Sequence, residues 1–490
     1  MNGVLFNQDS TQIFIETPRG EIEPETLDRL VDGLADCGVT ALLANSQAQR
    51  TNYDSKVWEH FWDGYDPAAG DDQPFFRPLP TESAAVMAHW VHNMWLLRQQ
   101  GCDPIERMLA RCRQRGVGAW VSLRMNDLHD VDIPESPMLN SFWRQHPEFR
   151  RAPYRFESWP DRALDYGRPE VRDYYFALLR ESLERWDMDG LELDFMRFPY
   201  HFRVGHEEAG GEALAAWLGE IRRLLREWEQ RRGHGLQLGV RVPSRPPTAR
   251  ALGLDAVSWA RAGLVDLVVP TPFWATCEFD LPMEYWRDLL SDCPVTLAAG
   301  LEVSFQAHPG APRRQSTPET ARGAAISALA RGADAIYLFN HFAHLDADWP
   351  PGAYRRFLRE AGSREKLRGQ DRRHVLTYPD VVAPGEPQAA ALPAAVASGR
   401  TAAFRLHLGP GPGEAATQVI LELAEDGAEL EIRLNGDLCA PAGAESPRRQ
   451  VFTAPRGSAH AGYNVIEATG GSAPLTIVGV EIAIVAANRR

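Results

Sequence analysis

Two carboxylates stand two positions apart in an apolar stretch of the chain, GLELDFMRFPYHF, residues 190–202. Glu192 and Asp194 alternate with leucine and phenylalanine, as residues of a buried strand do. A buried carboxylate needs a partner, and enzymes use such groups as proton donors, bases and nucleophiles. The stretch therefore predicts either a buried ion pair or a site of acid–base chemistry.

The elements that would position these acids are strands alternating with helices. Apolar strand-like runs recur along the chain, separated by segments with helical spacing such as PEVRDYYFALLRESLERW and EALAAWLGEIRRLLREWEQRR. Eight such units predict an α/β protein with a (β/α)8 barrel. A doubly wound sheet is the alternative, but NQDSTQ is not its Gly-rich phosphate turn. The predicted strands are residues 4–9, 40–47, 118–127, 191–198, 236–243, 264–274, 295–303 and 335–342.

One parity of each strand faces the barrel interior, and the strand C-terminal ends form the mouth where barrel chemistry occurs. Arg124 and Arg241 lie at this parity on the strands beside the two acids and can pair with them. We expect an ion pair for the deeper Glu192 and a functional role for Asp194. The inward positions are Leu5, Asn7 and Asp9; Leu43, Asn45 and Gln47; Ser122, Arg124 and Asn126; Glu192, Asp194 and Met196; Gly239, Arg241 and Pro243; Ala298, Gly300 and Glu302; Tyr337, Phe339 and His341.

The segment LDYGRPEVRDYYFALLRESLERWDMDGLELDFMRFPYHF resembles the hypothetical glycosyl hydrolases of the family-10-like group. The resemblance implies a (β/α)8 barrel that acts on polysaccharide, with Asp194 as a catalytic or substrate-orienting acid. The chain departs from the family where it has Glu192-Leu-Asp194 in place of adjacent aspartates. The matching residues are Arg168, Pro169, Glu170, Val171, Arg172, Tyr174, Trp186, Asp187, Asp189, Gly190, Asp194 and Pro199.

Glycoside hydrolysis needs a second carboxyl group across the scissile bond. Glu302 is inward by parity on the seventh predicted strand, and Glu278 follows the sixth near Trp274. A glutamate beside a tryptophan can have a raised pKa and act as a general acid. An ion pair or lid contact for Glu302, and a solvated loop position for Glu278, are the alternatives.

Further polar and aromatic residues at the predicted strand ends are candidates for holding a sugar. Arg197, with His201 and Arg203, follows the fourth strand and could bind an anionic sugar or anchor the loop. Aromatic side chains stack on sugar rings, although a single one is more often core. The substrate-binding candidates are Asn45, Arg124, Asn126, Arg197, Arg241, Trp274, Tyr337 and Asn340, and the other aromatic candidates are Phe339, Phe198 and Tyr200.

Two regions outside the strands leave alternatives open. Residues 52–67 are rich in tyrosine and tryptophan and predict either a packed lid or a sugar-stacking wall. From residue 375 helical spacing gives way to short alternating runs, which predict a β-sandwich. We expect a barrel domain over 1–365 and a sandwich over 375–490, which either braces the barrel or binds carbohydrate. RLNGDL predicts a tight turn within it.

Composition limits the function classes. The net charge of −14 disfavours nucleic acid or an anionic membrane as a partner. The start MNGVLFNQDS has no signal-peptide pattern, and six scattered cysteines indicate reduced thiols, so we expect a cytoplasmic protein unless a leader was removed. His341 and His344, and His129 beside Asp127 and Asp130, form no specific ligand set, so we expect no metal or cofactor. The sequence favours a glycoside hydrolase, with a non-catalytic carbohydrate-binding barrel as the alternative.

Overall fold

The computed structural model describes residues 1–341, 348–427 and 429–486. Its N-terminal part is a closed barrel of eight parallel strands, in which the last strand pairs with the first. This confirms the predicted (β/α)8 barrel and excludes an open doubly wound sheet. The barrel strands are β1 (Gly3–Gln8), β2 (Ala41–Asn45), β3 (Gly118–Arg124), β4 (Gly190–Asp194), β5 (Gln237–Pro243), β6 (Leu267–Thr271), β7 (Thr296–Glu302) and β10 (Ala335–Phe339), and a small hairpin of β8 (Ser304–Phe305) and β9 (Arg314–Gln315) precedes the last of them. Phe342, the predicted last residue of the eighth strand, and His344 lie outside the described residues.

Helices return the chain from the end of one strand to the start of the next, and local sequence sets their limits. Pro24 occupies the first turn of one helix behind a capping box of Glu23 and Thr26, and Gly233 ends another with a φ of 77°. The helices are α1 (Gln12–Glu16), α2 (Pro24–Asp36), α3 (Thr81–Gln99), α4 (Pro104–Arg115), α5 (Ser141–Gln145), α6 (Pro169–Arg185), α7 (Glu207–Arg232), α8 (Pro246–Ala251), α9 (Ala256–Arg261), α10 (Met283–Leu289), α11 (Pro318–Ala330), α12 (Ala353–Ala361) and α13 (Arg364–Arg368), with 3₁₀ turns at Pro147–Phe149 and Trp159–Arg162. Among the described helices, none has the length and apolarity that a membrane crossing requires.

The alternation predicted from strand parity separates two apolar cores. One lies between the barrel strands and the helices and includes Leu191, Leu193 and Val240. The other fills the barrel interior and is built from the opposite parity. The interior core consists of Leu5, Ala41, Leu43, Trp120, Leu267, Val269, Ala298, Ala335, Tyr337 and Phe339.

The aromatic segment after β2 is a packed cover. The ring of Trp58 stacks on Tyr174 of α6 with ring centres 4.4 Å apart, and the hydroxyl of Tyr53 donates to Glu181 at 2.8 Å. Phe61 and Trp62 are also buried. Of the two alternatives for residues 52–67, packing is therefore confirmed, since these rings are used against helices of the barrel.

The C-terminal region is a β-sandwich, as predicted. Two antiparallel sheets share one apolar core, and Asn435 and Gly436 form the predicted tight turn with positive φ angles of 53° and 90°. The alternating pattern did not reveal β17, because every residue of that edge strand is exposed. One sheet contains β11 (Arg372–Val375), β12 (Ala394–Val396), β14 (Ala416–Leu423), β17 (Ala440–Ser446), β18 (Arg449–Thr453) and β20 (Leu475–Val485), and the other contains β13 (Thr401–His407), β15 (Leu430–Leu434), β16 (Asp437–Leu438) and β19 (Tyr463–Gly470).

Polar contacts attach the sandwich to the barrel. Arg331, just after α11, donates to Glu284 at 2.5 Å and to the hydroxyl of Tyr463 at 2.9 Å. The connecting segment also reaches the barrel mouth, where the hydroxyl of Tyr200 donates to the carbonyl of Val382 at 3.3 Å. The C-terminal region thus contacts both the helical wall and the loops after the strands.

Gly190, at the start of β4, lies under the indole of Trp120. A Cβ atom there would be 2.5 Å from the ring, whereas one at Gly219 in α7 would contact nothing within 4 Å. We expect Gly190→Ala to lower the free energy of unfolding by about 1–3 kcal/mol through overpacking. Gly219→Ala is the control and should be neutral or stabilising by about 0.5–1 kcal/mol. Urea denaturation measures both, and equal stability of Gly190→Ala and wild type would contradict the packing.

Candidate active site

The C-terminal ends of the barrel strands open onto two adjoining cavities of about 390 and 510 Å³. Both are lined by Asp9, Thr11 and Arg197, so they meet beside the end of β1 and form one cleft across the mouth. The first cavity is also lined by Ala48, Leu79, Glu82, Ser83, Val86, Met87, Trp90, Arg124, His129, Asp130 and Met138. The second is also lined by Gln12, Ile15, Glu16, Trp274, Val303, Arg313 and Asn340.

Asp194 forms a buried ion pair beneath this cleft. Its carboxylate accepts from Nη1 of Arg241 at 2.9 Å and from the backbone N–H of Met196 at 2.9 Å. Strand register places Arg124 and Arg241 on either side of it, as the sequence predicts. Asp194 is 1% exposed, and the Arg241 guanidinium lies 3.6 Å from the ring centre of Phe339.

Glu192, one inward position deeper, is held by neutral donors. Its Oε2 accepts from the hydroxyls of Ser122 and Tyr337 at 2.6 and 2.9 Å. Burial, and next the charge of Asp194, raise the pKa of Glu192 to about 7. The expected ion pair at Glu192 is wrong, because the nearest arginine pairs with Asp194 at the mouth end of the strand.

Glu302, at the end of β7, is connected to the cleft through its partners. Its carboxyl accepts from Asn340 Nδ2 at 3.0 Å and from Arg313 Nη2 at 3.2 Å, and both partners line the second cavity. Burial raises the pKa of Glu302 to about 7, although the charges of Arg313, Arg197 and Arg241 oppose the rise. A carboxyl group with this pKa can carry a proton at neutral pH and donate it.

Glu278 takes a different position. It is buried and its Oε1 accepts from Arg245 Nη2 at 2.5 Å. Burial raises the pKa of Glu278 too. Neither Glu278 nor Glu302 itself lines a cavity. Asn340 and Arg313, which bind Glu302, line the second cavity, whereas Arg245, which binds Glu278, lines neither. Of the two glutamates that the sequence left in competition, the structure brings only Glu302 into contact with residues of the cleft.

The remaining candidates divide into cleft residues and internal anchors. The amide of Asn45 donates to the carbonyl of Ser122 at 3.0 Å, and that of Asn126 donates to the carbonyl of Leu164 at 3.0 Å. Tyr337 is buried against Glu192. Asn45, Asn126 and Tyr337 therefore make hydrogen bonds within the protein. Arg241 likewise makes an internal contact, its ion pair with Asp194. The candidates that line the cleft are Arg124, Arg197, Trp274 and Asn340.

Asp9 also lines the cleft. Strand parity predicted that it faces inward, but it was not among the predicted site residues. Its Oδ2 is bound by Arg124 and lies 3.4 Å from Nη2 of Arg197, and its Oδ1 accepts from Thr11 at 3.0 Å. Burial alone would raise the pKa of Asp9, but the two arginines and Thr11 lower it to about 2. Its position as the last inward residue of the first predicted strand was the available signal.

A ridge of aromatic rings runs along the mouth beside the cleft. Trp159 lies 5.1 Å from Phe198 and 5.6 Å from Phe273, measured between ring centres. His129 on the first cavity contacts Phe198 at 5.4 Å, and Trp274 on the second contacts Phe273 at 6.2 Å. Trp274 is 43% exposed and lines the second cavity, so part of its ring is accessible there.

Asp380, in the segment that leads to the sandwich, holds the loop that carries Trp274. Its carboxylate accepts the backbone N–H groups of Phe273, Trp274 and Ala275, each at 2.8 Å. No local pattern in the sequence predicts this role, because Asp380 lies more than 100 positions from its partners. The C-terminal segment therefore helps to build the cleft.

Removing this carboxylate should free the Trp274 loop. In Asp380→Ala, we expect backbone amides 273–275 to exchange with deuterium at least about ten-fold faster, since each loses a charged acceptor. Hydrogen-exchange mass spectrometry of a peptide covering these residues measures this. Asp426→Ala, which removes an exposed aspartate of the sandwich, is the control. Unchanged exchange in Asp380→Ala would contradict the role.

Glu192 should make stability depend on pH. Its pKa is about 7 in the folded chain and ordinarily near 4.5, so its stabilising contribution is full below pH 4.5 and is lost as pH rises through 7. Glu192→Gln keeps a neutral group there and should be more stable than wild type at pH 8, by up to about 3 kcal/mol, but not at pH 4.5. Urea denaturation at both pH values measures this, with exposed Glu227→Gln as control. No difference from wild type at pH 8 would mean that Glu192 is ionised at no cost.

Among residues 1–341, 348–427 and 429–486, no three His, Cys, Asp or Glu side chains are grouped so that they could hold a metal ion. His129 instead contacts Asp127 at 2.8 Å, and Arg124 contacts the same aspartate at 3.1 Å. Asp127 is thus engaged by an arginine and a histidine.

Comparison with known proteins agrees in part with the resemblance seen in the sequence. No family model matches the chain. It is 24% identical over 242 residues to glycosyl hydrolase DigH of Escherichia coli, and the same values apply to that of Shigella flexneri. Each alignment covers 41% of this chain and 54% of the relative. The chain thus spans about half the length of the curated relatives it matches.

Similar solved structures are also named for carbohydrate enzymes. The PgaB (BpsB) glycoside hydrolase domain from Bordetella bronchiseptica aligns with a TM-score of 0.43 and 11% identity, over 74% of this chain and 99% of that chain. Alpha-L-fucosidase isoenzyme 2 from Paenibacillus thiaminolyticus aligns with a TM-score of 0.42 and 11% identity, over 75% and 47%. The chain is therefore similar in sequence to proteins named glycosyl hydrolase, and its specific likeness to the family-10-like group is not confirmed.

Proposed function

We propose that the protein is a glycoside hydrolase that cleaves an oligo- or polysaccharide in the cleft at the barrel mouth. The observation that carries the proposal is the state of Glu302. It is a buried carboxyl group with a pKa near 7, held by Asn340 and Arg313, two residues of the cleft wall. This is the environment that a general acid requires at neutral pH.

In this proposal Glu302 protonates the glycosidic oxygen as the bond to the leaving sugar breaks. Asp194 is the second carboxylate, acting as a nucleophile or as the base that activates water. Strands β5 and β6 separate the two acids, so they approach the cleft from different sides of the mouth. Arg241 orients Asp194, and its charge also acts on Glu302.

Two other findings support a sugar substrate. The aromatic ridge ends in the exposed ring of Trp274, and rings of this kind pack against the C–H faces of sugars. The curated relatives are named glycosyl hydrolase. A place in or near the family-10-like group is the finer part of this proposal, and it rests on the segment that contains Asp194.

A carbohydrate-binding barrel without hydrolysis is the second candidate, and one observation favours it. Asp194 and its partner Arg241 are both covered, as is Glu302, and none of the three lines the cavities. Substrate binding would have to uncover this ion pair before Asp194 could reach a sugar. A barrel that keeps the pair closed would bind a glycan without cleaving it.

Reducing-sugar release from a panel of neutral and anionic glycans tests the proposal. We expect Glu302→Gln and Asp194→Asn to lower kcat/KM at least about 100-fold, because each loses a reacting group. Glu278→Gln removes an equally buried glutamate that lies off the cleft and should retain activity. Circular dichroism must show folded variants, since Asp194→Asn leaves the buried Arg241 without its counter-charge.

The pH profile gives an independent check. Glu302 donates a proton in this proposal, so kcat/KM should fall about ten-fold per pH unit above pH 7. Glycan binding without release by the folded wild type would favour the non-hydrolytic barrel. Full activity in Glu302→Gln would show that another group is the acid.

A further inference from the structure

Arg197 has an unmet hydrogen-bond donor at the junction of the two cavities. It is 7% exposed, and its Nη2 reaches Asp9 only at 3.4 Å. Its Nε is buried and has no partner among residues 1–341, 348–427 and 429–486. Buried N–H groups of charged side chains are normally paired. The guanidinium at the junction of the two cavities therefore retains hydrogen-bonding capacity for an acceptor from outside the chain.

The charges around Arg197 do not remove the need for such an acceptor. Asp9 is shared, because the same Oδ2 atom also binds Arg124, and Arg124 contacts Asp127 at 3.1 Å. Burial and the charge of Arg124 lower the pKa of Arg197 to about 10, which leaves it charged at neutral pH. Other acids of the cleft are Glu16 in the second cavity, and Glu82 and Asp130 in the first.

A second arginine and a flat apolar surface lie in the second cavity. Arg313 is 37% exposed along its side chain, and its guanidinium carbon lies 5.7 Å from the ring centre of Trp274. Its guanidinium donates to the carboxyl group of Glu302, which has a pKa near 7 and so leaves Arg313 partly uncompensated. The second cavity thus combines two guanidinium groups with an exposed indole ring.

We propose that the second cavity is a subsite for a carboxylated sugar, whose carboxylate binds Arg197 and Arg313 while its ring packs on Trp274. The inference rests on the proposed function, because it names the substrate class of the same cleft. Guanidinium groups suit a planar carboxylate because they present several N–H donors in a fixed geometry. An indole face suits the apolar side of a sugar ring.

Binding measurements test this separately from hydrolysis. The probes are oligogalacturonate, oligomannuronate and hyaluronan fragments, each paired with the same oligosaccharide after its carboxyl groups have been reduced to alcohols. Calorimetry at pH 7 should give at least ten-fold tighter binding of one or more acidic probes than of their reduced partners, as a charge-assisted hydrogen bond predicts. The full chain is used throughout.

Three variants locate the effect. Arg197→Gln and Arg313→Gln should each reduce the preference for the acidic probe to about two-fold or less. Arg313→Gln alters a partly exposed side chain, so it remains informative if Arg197→Gln fails to fold. Arg203, which strand position also made a candidate for binding an anionic sugar, is exposed and lines neither cavity. Arg203→Gln is therefore the matched control and should keep the preference.

The outcomes separate the subsite from the hydrolase. Equal binding of every acidic probe and its reduced partner would overturn the subsite, even if neutral glycans were cleaved. A preference that survives in both Arg197→Gln and Arg313→Gln would also overturn it. Acid-selective binding that depends on both arginines, without any bond cleavage, would support the subsite and contradict the proposed hydrolase activity.

Discussion

The barrel mouth is organised by the cost of placing charge where water cannot reach it. A carboxylate buried without a partner loses several kcal/mol of hydration, so each inward acid must find a cation, a set of donors or a proton. Asp194 forms an ion pair with Arg241, and Asp9 forms one with Arg124. Glu192 and Glu302 have pKa values raised to about 7. Burial and the positions of the arginines together therefore set the pKa values of Asp9, Glu192 and Glu302.

The acids therefore differ in the chemistry that they can perform. Despite burial, two arginines and Thr11 lower the pKa of Asp9 to about 2, whereas burial raises the pKa of Glu302 to about 7 even though Arg313 contacts it. Asp194 is paired with Arg241, whereas Glu302 has a raised pKa, so the two acids of the proposed mechanism lie in different environments, as acid–base catalysis of bond cleavage requires. The pKa of Glu192 is raised like that of Glu302, but Glu192 lies deeper in the barrel. There its carboxyl group binds the hydroxyls of Tyr337 and Ser122.

The C-terminal region is part of this arrangement. Its connecting segment fixes the loop of Trp274 through Asp380, and its sandwich contacts the barrel through Arg331 and Tyr463. A loop at a barrel mouth is ordinarily mobile, and a charged acceptor for three consecutive N–H groups restrains it. The exposed indole is thus held at the second cavity by residues distant in sequence.

The sequence alone determined the barrel, the sandwich and the inward set of side chains, because periodicity and strand parity are local properties of the chain. It therefore placed Asp194 between Arg124 and Arg241 and brought Arg197, Trp274 and Asn340 to strand ends. Tertiary structure alone decided which acid meets which cation. Asp194 and not Glu192 forms the ion pair with Arg241. Glu302 contacts two residues of the cleft wall while Glu278 contacts Arg245, and Asp380 binds the Trp274 loop. Those pairings depend on distances between strands and loops far apart in the chain, and no local pattern encodes them.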